Sequence, residues 1–180
     1  DPSGAYLREF TSGGSGMNRL YWPVGLAIGP GPSGNVYVAD TLNDCVKVFT
    51  PTGTFLCEFG GTGKEDGKFH RPYGVAVDAS GNVYVTDTED LETGLKSHRV
   101  QKFGPYDSNH PHLRTWYGSD ETEEGRFNWP TSIAVDGSNN VYVVDANNYR
   151  IQKFDPEGTP ERQWGTRGQG DGQFDGPWGV

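Results

Sequence analysis

Carboxylates in two short runs are the densest chemistry in this sequence. Asp87, Glu89, Asp90 and Glu92 share one stretch, and Asp120, Glu121, Glu123 and Glu124 share another. Hard oxygen donors grouped in this way suit Ca²⁺. No Asp-x-Asp-x-Asp-Gly run wraps them around an ion, so the ordinary reading is a solvated acidic rim balanced by Lys96, Arg99 and Arg126. No other cofactor is expected. Four histidines, His70, His98, His110 and His112, read as loop residues. His110 and His112 flank Pro111, a spacing able to pinch a transition metal but more often a mark of solvent exposure.

Covalent chemistry finds less support. No Gly-x-Ser-x-Gly elbow is present, and no Ser, His and carboxylate form a recognisable set. Gly60-Gly-Thr-Gly63 and Gly165-Thr-Arg-Gly168 lack the Gly-Lys-Ser/Thr ending of a phosphate cradle. Cys45 and Cys57 are the only cysteines, and neither has a basic partner nearby in sequence. If Phe49 opposes Thr54 across a hairpin, the two thiols fall almost opposite each other. A disulfide there would contribute about 2–3 kcal/mol and imply an oxidising compartment; the alternative is two reduced, buried thiols. Trp22, Trp129 and Trp178 each flank a proline, Pro23, Pro130 and Pro177, and could stack a sugar ring or a peptide, or simply seal neighbouring units.

The elements that position these groups follow from composition and repetition. The 180 residues are 33% hydrophobic yet 13% aromatic, with 27 Gly and 12 Pro and a mean hydropathy of -0.70. Breakers that frequent exclude a helical bundle, and that many aromatics argue against a disordered chain. The balance of 15 Lys plus Arg against 24 Asp plus Glu, net -9, opposes a phosphate-backbone partner. No run is long and apolar enough to insert in a membrane, and no Asn-x-Ser/Thr acceptor is present. The opening Asp1-Pro2-Ser3-Gly4 reads as a mature or excised piece of something longer.

Four phrases recur. Pro23-Val-Gly-Leu-Ala-Ile28 returns as Pro72-Tyr-Gly-Val-Ala-Val77 and Pro130-Thr-Ser-Ile-Ala-Val135, and restarts at Pro177-Trp-Gly-Val180. Asn35-Val-Tyr-Val-Ala-Asp40 returns at Asn82 and Asn140; Cys45-Val-Lys-Val-Phe49 corresponds to Arg99-Val-Gln-Lys-Phe103 and Arg150-Ile-Gln-Lys-Phe154. Thr54–Phe59, Leu113–Trp116 and Glu161–Trp164 form the fourth phrase, with Ala5–Phe10 an orphan copy. The repeat prolines are 49, 58 and 47 residues apart. Short Val-, Tyr- and Phe-rich runs bounded by Gly, Pro, Asn and Asp are strands. Four of them per unit of this length make a propeller blade.

The chain is thus predicted to be all-β, with four-stranded antiparallel blades at about 24–59, 73–117 and 131–164, an outer strand at 5–10 and a further inner strand starting at 177–180. Its motifs Pro-x-Gly-Val-Ala-Val-Asp, Gly-Asn-Val-Tyr-Val-x-Asp and Asn-x-Arg-Ile-Gln-Lys-Phe resemble NHL repeats, a β-propeller family, over essentially the whole length. The resemblance implies a six-bladed ring, of which three blades leave two open edges. It also implies that both acidic runs emerge on one face. Metal-dependent enzymes similar to this family carry histidine ligands directly after the first-strand proline; here Val24, Tyr73, Thr131 and Trp178 stand there. The expected function is a non-catalytic scaffold for protein or extracellular-matrix contact, self-assembling through its open edges in one version, with protein partners, further copies of itself, or a carbohydrate or peptide ligand. Asp120, Glu121, Glu123, Glu124 and the three tryptophans form its contact face. The alternative is a fragment of a lyase or lactone-hydrolase propeller whose active site lies in other blades. Few lysines and a disulfide would place the protein outside the cell.

Overall fold

The computed structural model describes residues 19–88, 98–106, 109–117 and 126–180. Among these described residues twelve strands form three antiparallel sheets, each in simple sequence order. Blade one holds β1 (Pro23–Ile28), β2 (Val36–Asp40), β3 (Cys45–Phe49) and β4 (Phe55–Gly60). Blade two holds β5 (Pro72–Val77), β6 (Val83–Asp87), β7 (Arg99–Phe103) and β8 (His112–Tyr117). Blade three holds β9 (Pro130–Val135), β10 (Val141–Asp145), β11 (Arg150–Phe154) and β12 (Pro160–Trp164). The orphan strand expected at 5–10 lies outside the described residues. At 177–180 no strand forms; Val180 donates its N–H to Ser132 Oγ at 3.3 Å.

Three of the hairpin turns are each closed by their own carboxylate. Asp78 Oδ1 accepts the N–H groups of Ser80 and Asn82, and Asp136 and Asp155 do the same for the residues two and four positions on. Such Asx turns are why these positions are Asp. The Asn140 side chain, then the Asn140 and Ser138 amides, hold the Asp136 carboxyl down to about 2.

The core lies between blades. Tyr37, Val46, Val48 and Phe69 from the first blade and its exit loop meet Val75, Val83, Val85 and Phe103 of the second. Ala76, Tyr84, Val100 and Trp116 meet Phe127, Ile133, Val141, Val143 and Phe154 at the next junction. First strands of adjacent blades run in backbone contact. A Cβ on Gly25 would lie 2.3 Å from the Tyr73 carbonyl oxygen, which is why Pro-x-Gly recurs. At the two ends of the row no blade follows among the described residues. Leu26 is 62% and Ile28 56% exposed on β1, and Trp164 is exposed on β12.

The register of β3 on β4 corrects the expected disulfide. Cys45 opposes Gly60 and Cys57 opposes Val48, with a bulge between Val48 and Phe49. Cys45 and Val48 are three residues apart, so the thiols point to opposite faces, offset by roughly 10 Å along the strand. That exceeds the Cα span a disulfide bridges. Both cysteines are free. The turn at Thr50–Thr54, closed by the Thr50 N–H to the Thr54 carbonyl at 2.9 Å, consumes one residue more than the tight hairpin assumed from sequence.

Candidate interaction face

The aspartate ending each second strand builds one face of the blade row. Asp40 Oδ1 accepts the Tyr21 N–H at 2.6 Å, Asp87 Oδ1 the His70 N–H at 2.7 Å, and Asp145 Oδ1 the Asn128 N–H at 2.6 Å. Each bond ties the loop entering a blade to that blade's own second strand. Asp87 Oδ2 accepts Arg99 Nε at 2.8 Å, and Asp145 Oδ2 accepts Arg150 Nε at 2.7 Å. All three carboxylates are wholly buried. Burial, the largest influence, pushes the Asp87 carboxyl up to about 7, with Arg99 and the His70 amide pulling it back. Asp87 is therefore a blade fastener, with both oxygens occupied, and sits in the interior rather than on a Ca²⁺-accessible rim.

These fasteners fix the residue that precedes each first-strand proline. Trp22, Arg71 and Trp129 all take left-handed backbone, φ 57°, 56° and 59°. Non-glycine residues seldom hold that conformation unless their surroundings impose it. Between blades, Thr41 Oγ1 donates to the Pro72 carbonyl at 2.7 Å and Thr88 Oγ1 to the Pro130 carbonyl at 2.9 Å. The face so assembled carries two clefts at equivalent junctions. One, of about 220 Å³, is walled by Trp22, Leu42, Arg71 and Tyr73. The other, of about 480 Å³, is walled by Trp129, Asn147, Asp175 and Trp178. Trp129 packs edge-on against Tyr73 at 6.2 Å and so seals blades two and three. Trp22 and Trp178 are 67% and 63% exposed, large apolar groups offered to solvent.

A family model described as NHL repeat matches residues 69–92 and 127–154. The chain belongs to the NHL-repeat family. It is 30% identical over 140 residues to peptidylglycine alpha-amidating monooxygenase of Rattus norvegicus, an alignment covering 76% of this chain and 13% of that protein. It is 30% identical over 132 residues to NHL repeat-containing protein 3 of Mus musculus, covering 72% of this chain and 34% of that one. The chain thus spans well under two thirds of these relatives. Among solved structures, hydrazine synthase of Kuenenia stuttgartiensis superposes with a TM-score of 0.62 at 15% identity, over 97% of this chain and 42% of that one, a likeness of fold. The neighbours are β-propellers, and the three four-stranded sheets here are propeller blades.

The remaining predicted site residues divide cleanly. Glu89, Asp90, Glu92, Asp120, Glu121, Glu123 and Glu124 lie outside the described residues. Among the described residues no three metal-ligating side chains cluster. Of the histidines, His112 departs from the loop reading by standing in β8, while His70, His98 and His110 lie outside the strands, His98 and His110 buried there. His110 stacks on Phe59 at 4.4 Å, its Nε2 makes no hydrogen bond among the described residues, and burial lowers its pKa. Sequence reasoning passed over Phe69 and Phe127, the fully buried plugs of the loops entering blades two and three. Their signal was the phrase Gly-Lys-Phe69 and Gly-Arg-Phe127, followed three residues later by the repeat proline.

Proposed function

We propose that this NHL segment is a non-catalytic contact module that engages other proteins through the loop face carrying Trp22 and Trp178. The observation that supports the reading is a pair of solvent-exposed indoles on this face, with the loop of Trp22 tied through the Tyr21 N–H to the buried Asp40 carboxylate. Large rigid aromatics on a pre-set frame lose little entropy on binding. The net charge of -9 favours basic partners. A secreted location stays part of the proposal, resting on the acidic, lysine-poor composition. The test replaces Trp22 and Trp178 with Ala in the full-length protein. Partners cross-linked to wild type and identified by mass spectrometry are expected to be lost from the variant while its circular dichroism is unchanged. Retention of every partner overturns the reading.

A second reading is favoured by the similarity to the amidating monooxygenase: this chain is part of a propeller enzyme of lyase or lactone-hydrolase type whose site lies in other blades. Turnover of a test ester or lactone by the full-length protein, together with a calcium dependence of its stability, would favour it over the first.

A further inference from the structure

The internal repeat exposes a substitution at the head of the third strand. In blade two Arg99 donates to Asp87 through Nε and to the carbonyl oxygens of Lys64, Glu65 and Lys68 at 2.7, 3.2 and 2.6 Å. In blade three Arg150 donates to Asp145 through Nε, to the Arg126 carbonyl, and to Gln163 Oε1 at 2.5 Å. Blade one holds Cys45 in that slot, paired with Asp40 in register as Arg99 is with Asp87 and Arg150 with Asp145. Two residues on, Lys47 stands where the others have Gln101 and Gln152. Lys47 Nζ sits 2.9 Å from Asp40 Oδ2 and donates to the Arg19 carbonyl, the same backbone-tethering work that Gln101 and Gln152 perform on Lys68 and Arg126. Asp145 Oδ2 therefore takes three donors, from Asn148, Arg150 and Gln152, where Asp40 Oδ2 takes Asn43 and Lys47.

Truncating arginine to cysteine leaves a recess of about 430 Å³ lined by Asn43, Cys45, Lys47, Glu58 and Gly60. Glu58 faces Lys47 across the sheet as Gln163, the acceptor for Arg150, faces Gln152. Its carboxylate is 47% exposed, with Lys47 3.9 Å away. Burial, then the charges of Asp40 and Glu58, push the Cys45 thiol up to about 12, so the lining sulfur is a neutral thiol in a negative potential.

We propose that this recess binds the guanidinium of an arginine side chain presented by a partner protein, with the Glu58 carboxylate as its main acceptor. The group enters from outside and occupies the place that Arg99 and Arg150 fill from within their own blades. A planar fork of N–H donors matches a carboxylate better than an ammonium does. The net charge of -9 favours approach by a basic partner. The recess stands on its own geometry; that the arginine comes from another protein rests on the scaffold reading above.

The test is titration of this chain with acetyl-Gly-Gly-Arg-Gly-Gly-amide and its Lys and citrulline analogues, followed through the backbone amide resonances of Cys45, Glu58 and Gly60. Saturable shifts with the Arg peptide, at least about tenfold weaker with either analogue, are expected. Cys45→Arg with Lys47→Gln gives blade one the residues of its neighbours and is expected to abolish the shifts. Glu58→Gln, an exposed and isosteric change, is expected to weaken binding about tenfold and decides the matter if the double variant does not fold. Equal shifts with Arg and Lys peptides, undiminished binding by both variants, or no shifts at all would overturn the proposal. Arg-peptide binding alongside a full set of partners retained after the tryptophan substitutions would keep the recess and remove the scaffold face.

Discussion

At the residue scale the molecule is held by a few buried charges rather than by many exposed ones. Asp87 and Arg99 are both buried and locked at 2.8 Å. Asp87→Ala strands the guanidinium without its carboxylate and frees the His70 N–H, so a loss of roughly 3–5 kcal/mol is expected, read from the denaturant midpoint. Arg114 and Glu157 sit 3.3 Å apart in solvent, and Arg114→Ala is expected to cost under about 1 kcal/mol. His110 supplies a pH dependence with a definite sign. The unfolded chain takes up its proton near 6.5, the folded chain only at lower pH because the ring is buried against Phe59. Stability is therefore full above 6.5 and lost as pH falls below it. Thermal melts at about pH 8 and about pH 5 should show His110→Phe gaining on wild type at the lower pH. An unchanged difference between the two would mean that the folded chain takes up the His110 proton as readily as the unfolded one.

At the scale of the element, what the sequence made legible was periodicity, and what it hid was register. Within the three blades each repeat phrase became a strand within a residue or so of its expected place, whereas the phrase restarting at 177–180 did not. The Asp residues ending β2, β6 and β10 are structural, and the arginine pairing of Asp87 and Asp145 follows from their cross-strand positions. The cysteine pairing failed on a turn one residue longer than assumed and on a bulge after Val48, neither of which composition signals and each of which shifts every pairing beyond it. Packing between elements was legible only through glycine. Gly25→Ala drives a methyl group into the Tyr73 carbonyl and is expected to cost at least about 1–3 kcal/mol as the first two blades are forced apart. Gly137→Ala, in a turn where an added methyl meets nothing within 4 Å, should leave the midpoint within about 0.5 kcal/mol of wild type. Equal effects at the two sites would mean that β1 and β5 are not in backbone contact.

On the scale of the whole molecule, the row of blades explains its exposed apolar surface. On β5 the residues matching Leu26 and Ile28 are Val75 and Val77, which pack into the junction with blade one. On β1 the same positions meet solvent, because the core of a propeller belongs to junctions and β1 has no junction on its outer side among the described residues. Apolar strands left this way seek a complement. The complement is a surface of the kind β2 to β4 offer β5, whether supplied by further blades or by another copy. For this chain in isolation the consequence is direct. Sedimentation velocity should show association that rises with concentration, and Leu26→Glu with Ile28→Lys should return the particle to the mass of one chain without lowering its melting temperature. These side chains make few native contacts, so the variant isolates surface from stability. Association surviving in the variant would assign it to another face, with the exposed indoles of Trp22 and Trp178 next in line.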